Sequence, residues 1–121
     1  MTSSPLSLPS GVVLHAGSGG LERLSIATPA CTGEIYLHGA HLTAWQPRGA
    51  APVIWMSGSS QFEPGRPIRG GIPICFPWFG PHPSKPGAPP HGFARLAPST
   101  LHRVDRGADD AVAVTLSLRN A

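Results

Sequence analysis

Proline and glycine, fifteen of each in 121 residues, punctuate this chain so evenly that few windows can hold a helix of ten or more residues. Proline in a helix interior costs about 3 kcal/mol and glycine about 1 kcal/mol relative to alanine. The apolar 40% of the chain therefore has to be buried by shorter elements. Strands meet that need. In Ala111 to Arg119, Val112, Val114, Leu116 and Leu118 alternate with Ala, Thr, Ser and Arg, which predicts one face on a core and one in solvent. Further strands are expected at Gly11 to His15, Leu21 to Thr28, Glu34 to Leu37, His41 to Gln46, Val53 to Met56 and Thr100 to Val104. Glu34 to Leu37 and His41 to Gln46 are joined by His38-Gly39-Ala40, where Gly39 can supply the positive φ of a tight corner, so the two should form a hairpin. Many short strands at this spacing predict an all-β sandwich or barrel in one domain. The unpatterned residues 1 to 10 read as a disordered tail, with the domain running over 11 to 121.

Composition narrows the partners. Charged residues make up 12% of the chain and the net charge is +3, with the eight arginines and one lysine scattered. That leaves no basic patch for counterion-release binding to nucleic acid. No apolar run approaches the roughly 18 residues of a helical membrane span. Residues 1 to 10 have neither the basic start nor the apolar run of a secretory signal, so a cytoplasmic protein is expected. Cys31 and Cys75 are expected as free thiols. The pair His38 and His41 has metal-like spacing, but on a strand residues three apart face opposite ways, so no metal site is expected.

The densest chemistry lies between positions 61 and 95. Arg69-Gly70-Gly71 sets a planar guanidinium fork beside two residues without side chains, so that an anion can approach the backbone N–H groups while the fork closes on it. The same string also suits a plain turn with a solvated arginine. His91-Gly92-Phe93-Ala94-Arg95 repeats the theme, an arginine four residues after a histidine. Glu63 is the single carboxylate in this region, which leaves paired-carboxylate catalysis poorly supplied. Residues 80 to 90 hold five prolines and form a loop outside any central strand. Their PxxP matches would suit a polyproline-binding partner, but apolar residues at both ends tether the loop to the folded body.

Four strings in order carry a resemblance. Gly39-Ala40-His41-Leu42, Val53-Ile54-Trp55-Met56-Ser57, the thirteen residues from Ile68 to Gly80, and His91-Gly92-Phe93-Ala94-Arg95 resemble the hexose-6-phosphate mutarotases. These are the glucose-6-phosphate 1-epimerases of the aldose 1-epimerase superfamily. The resemblance implies the amino-terminal part of a galactose-mutarotase-like β-sandwich, and cofactor-free interconversion of the α and β anomers of a hexose 6-phosphate. It implies that Arg69 and Arg95 hold the substrate phosphate and that His91 lines the sugar pocket. The residue before the His-Gly pair is often Gln in that family; here it is Pro90. The family's catalytic His and Glu are expected beyond Ala121, so this chain is expected to be an inactive part of the enzyme. The alternative expectation is a non-catalytic sugar-phosphate-binding or structural remnant.

Overall fold

The computed structural model describes residues 7–58, 60 and 62–118. Beside two single 3₁₀ turns, Ser18–Gly20 and Ala94–Leu96, six strands account for its regular structure: β1 (Val12–Ala16), β2 (Glu22–Ala27), β3 (Cys31–Tyr36), β4 (His41–Pro47), β5 (Thr100–Arg106) and β6 (Val112–Ser117). The first four form an antiparallel sheet in chain order, and β5 and β6 form a second, two-stranded antiparallel sheet. Register follows the apolar pattern. Leu14 pairs with Leu24, Leu24 with Ile35, and Ile35 with Leu42, so one apolar row crosses the whole first sheet.

The sheets share one core, with Val12 and Leu24 from the first and Val104 from the second at its centre. Leu14, Ile26, Leu101, Val112 and Val114 pack around them. The alternation expected of the last strand therefore holds for Val112 and Val114, and its apolar face runs on through Leu116 and Leu118 into the wall of a cavity of about 360 Å³. Arg119 lies outside the described residues. Of the stretch expected as a tail, residues 1 to 6 also lie outside them. Leu8 packs against the core, and Ser10 accepts hydrogen bonds from Arg106 Nη1 through its carbonyl (2.9 Å) and hydroxyl (3.1 Å).

The β3–β4 hairpin forms where it was expected, with a bulge. Glu34 pairs with Ala44 and Ile35 with Leu42, which leaves Thr43 as the extra residue. Its buried hydroxyl donates to Glu34 Oε1 at 2.8 Å. Val53 to Met56, by contrast, is not a strand; within it, only Met56 forms a bridge, to Gly70. The ladder stops there because Gly70 and Gly71 both turn to positive φ, 96° and 68°, a conformation that extended pairing cannot absorb. Among the described residues no helix is long and apolar enough to cross a membrane, and Cys31 and Cys75 are free, half-buried thiols.

Candidate functional site

The corner between β3 and β4 is the base on which the site is built. Gly39 N–H donates to Ala97 O (2.7 Å), Ser99 N–H donates to Leu37 O (2.7 Å), and His38 bridges Pro98. Gly39 has φ 75°, and a Cβ there would stand 2.9 Å from both the Cα and the carbonyl oxygen of Arg95. Glycine thus lets the hairpin corner rest directly on the Arg95 backbone.

One turn of chain further on, β4 holds the Arg69 segment. Leu42 and Ile72 exchange backbone hydrogen bonds (3.4 and 2.9 Å), and Gly71 N–H donates to Trp55 O (2.8 Å). Ser60 Oγ accepts from Arg69 N–H and donates to Arg69 O, at 2.9 and 2.6 Å. Beneath the turn sits His41, fully buried, with Nε2 at 2.5 Å from Gly70 O. A carbonyl only accepts, so Nε2 carries the proton. His41 Nδ1 is buried with no partner among the described residues. The neighbouring His38 makes the same kind of bond, from Nε2 to Arg66 O at 2.6 Å. The two imidazoles thus serve two different carbonyls.

Burial is the first cause that lowers the His41 pKa below its ordinary value; the Gly70 bond opposes it, while His38 and Arg95 add to the lowering. The folded protein therefore binds this proton less readily than the unfolded chain. His41 contributes stability that is present above about pH 6.5, the usual imidazole value, and lost as pH falls below it toward the folded value. Thermal unfolding followed by circular dichroism should show a midpoint that drops between pH 7.5 and pH 5. His41→Gln should show a smaller drop, and equal drops in the two proteins would contradict this assignment.

His91 and Arg95 belong to one turn packed on the Arg69 segment. Phe76 bridges Gly92 in parallel, and Phe76 O accepts from the N–H groups of Phe93 (3.0 Å) and Ala94 (3.2 Å). A Cβ on Gly92 would overlap Phe76 O. His91, at φ 65°, exchanges two hydrogen bonds with Gly80: its N–H donates to Gly80 O (2.8 Å), and Gly80 N–H donates to Nδ1 (3.0 Å). With Nδ1 accepting, a neutral His91 carries its proton on Nε2. The Phe79 ring meets the imidazole edge-on at 4.8 Å. Arg95 lies in a single 3₁₀ turn, Ala94–Leu96, and its Nη2 donates to Pro90 O at 3.2 Å. Its buried Nε has no partner among the described residues. Position 90 thus offers the carbonyl that every residue has.

The two motifs come together on one platform, but the arginines differ in state. Arg69 is exposed, and among the described residues its guanidinium has no partner. Gly71 N–H is committed to Trp55, so of the two glycine amides only that of Gly70 has no partner among the described residues. The Gly pair is also needed for packing, since a Cβ on Gly70 would stand 2.7 Å from Met56 Cα and one on Gly71 would overlap Leu42 O. Glu63 pairs with Arg66 at 2.5 Å. Sequence reasoning weighed His41 only as a metal ligand and missed its bond to Gly70. The signal was its place two residues after the corner glycine, at the start of a strand.

A profile of the aldose 1-epimerase family matches residues 22–121, and the chain belongs to that family. Similar proteins include the provisionally named glucose-6-phosphate 1-epimerases of Escherichia coli strain K12 and Salmonella typhimurium strain LT2. The first is 43% identical over 98 residues, 81% of this chain and 33% of the relative. The second is 40% identical over 103 residues, 84% of this chain and 34% of the relative. The fold is similar to that of part of YeaD from Salmonella typhimurium, whose crystal structure is described as that of a provisionally assigned mutarotase. The match has a TM-score of 0.88 at 34% identity and covers 96% of this chain and 38% of that one. The chain spans about a third of the length of the curated relatives it matches.

Proposed function

We propose that residues 11 to 121 form the first part of a mutarotase-like β-sandwich that interconverts the anomers of a hexose 6-phosphate, glucose 6-phosphate being the substrate favoured. In this reading Arg69 and Arg95 hold the phosphate and His91 faces the sugar. The observation that carries it is the exposed Arg69 fork, without a partner among the described residues, on the same backbone platform as Arg95 and His91. In this reading a dianion entering there would meet the two guanidinium groups and the N–H of Gly70, which has no partner among the described residues. The names of the curated relatives support the choice of a sugar phosphate over a free sugar.

Mutarotation removes the proton of the C1 hydroxyl and delivers a proton to the ring oxygen, so that the ring opens to an aldehyde. Rotation about the C1–C2 bond and reclosure then present the other face of the carbonyl. His91, with its proton on Nε2, donates a hydrogen bond to a sugar oxygen and orients the ring. The acid and the base come from the part of the domain that this chain does not span. No redox step occurs, so the reaction asks for no cofactor. A reducing, cytoplasmic setting is in keeping with the two free thiols.

Arg69→Lys tests the fork. Lysine keeps the charge and loses the planar, two-pronged donor, so affinity for glucose 6-phosphate, measured by calorimetry, should fall about tenfold with the circular dichroism spectrum unchanged. Unchanged affinity would make Arg69 a solvated side chain at a turn.

A further inference from the structure

We propose that His41 is the positioning residue of this anion site: through its bond to the Gly70 carbonyl it fixes the Arg69 turn relative to Arg95. The inference rests on reading Arg69 and Arg95 as phosphate ligands. Its physical basis is a three-residue connector. At one end, Gly39 lies on the Arg95 backbone and donates its N–H to Ala97 O. At the other, His41 donates Nε2–H to Gly70 O, the carbonyl next to Arg69. Between them stands only Ala40, so the two arginine-bearing segments are referenced to each other through the start of β4.

The contact is tight as well as polar. A Cβ on Gly71 would stand 3.0 Å from His41 Nε2, so the imidazole also sets how closely the turn approaches β4. The ring is fully buried, and its Nδ1 has no partner among the described residues. A buried side chain chosen for packing alone would not carry an unpaired acceptor, which costs free energy. The imidazole is retained for what Nε2 holds. His38, Arg95 and the Gly70 carbonyl are the groups that bear on its charge, and His38 and Arg95 both favour the neutral ring, the form in which Nε2 donates and Nδ1 needs no acceptor. His38, bonded to Arg66 O, steadies the other end of the same segment.

The test compares side chains that reach Gly70 O with side chains that do not. The amide nitrogen of Gln falls about where imidazole Nε2 lies, whereas the shorter Asn stops short of the carbonyl. Isotope-labelled chain carrying His41, His41→Gln, His41→Asn or His41→Ala is titrated with inorganic phosphate and with glucose 6-phosphate, and the backbone amides are followed by NMR. Asn and Ala should weaken binding by about tenfold, the loss of one charge-assisted contact between Arg69 and the anion, and Gln should restore it to within about threefold. Both defective variants should move the amides of Gly70, Gly71 and Arg95 together, and Gln should return them. If Ala does not fold, the contrast of Gln with Asn decides. A Gln variant no better than Asn, or amides unmoved in every variant, would overturn the proposal. If no protein binds either anion, the reading of the arginines fails, and the joint movement of those three amides still decides the positioning role.

Discussion

Freshly dissolved α-glucose 6-phosphate should reach anomeric equilibrium no faster with these 121 residues than in buffer alone. Ring opening needs a positioned base and a positioned acid, each contributing on the order of a hundredfold to ten-thousandfold. Five of the six carboxylates are committed elsewhere. Glu34 lies 3.5 Å from Arg23 and accepts from Thr43, and Glu63 pairs with Arg66. Asp105 is held by Arg103, Asp110 by Arg106, and Asp109 caps the N–H of Ala111. Glu22 is an exposed residue at the start of β2. Among the described residues none of these carboxylates contacts the His91 turn. A single imidazole such as His91 would supply at most one of the two groups, and its Nδ1 already accepts from Gly80 N–H.

Joining the whole chain, β1 and its core residue Val12 included, to the part of the Escherichia coli relative that lies beyond the match should give catalysis, with a rate gain of at least about ten-thousandfold over the separate chain. Polarimetry at several protein concentrations gives both numbers. Acceleration in proportion to the 121-residue chain alone, lost in His91→Ala, would mean that the acid and base are already here.

How far the fold could be read in advance depended on whether a segment's partner was local. β1 to β4 and the β5–β6 pair are hairpins of neighbouring strands, so alternation and turn residues were enough to find them. Val53 to Met56 is a short unbroken apolar run that also suits a strand, yet its partner is Arg69 to Gly71, and two glycines at positive φ end that ladder after one bridge. The apolar pattern of one segment does not report what its partner can pair with. Leu8 was invisible for a similar reason, because its packing depends on a core assembled from β1, β2 and β5.

The site was legible as residue types and opaque as roles. Arg69, His91 and Arg95 stood out through their glycine neighbours, and the platform that joins them is backbone bonding at Phe76, Gly80 and Gly92. The use of Gly70 and Gly71 for close packing against Met56 and Leu42 could not be read from spacing, since it arises from segments more than ten residues away. His41 likewise meets its acceptor 29 positions along the chain.

A preference for glucose 6-phosphate over glucose follows from the two arginines with little else assumed. Each charge-assisted contact to phosphate contributes on the order of 1.5 to 3 kcal/mol. Two such contacts set the substrates apart by at least about 3 kcal/mol, or more than a hundredfold, at 1.4 kcal/mol per factor of ten. If the proposed clamp is right, the preference is set by residues of this chain and should travel with them into the joined, family-length protein. Replacing Arg69 and Arg95 by alanine should collapse it by lowering kcat/KM for the phosphorylated sugar while leaving that for glucose nearly unchanged.

The ratio of kcat/KM for glucose 6-phosphate to that for glucose, measured in the joined protein by following anomer relaxation of each sugar, tests the phosphate clamp directly. The predicted ratio is about a hundred or more, falling toward unity in Arg69→Ala/Arg95→Ala with the fold intact by circular dichroism. Equal constants for the two sugars in the unsubstituted protein, or a ratio that survives the loss of both arginines, would contradict it.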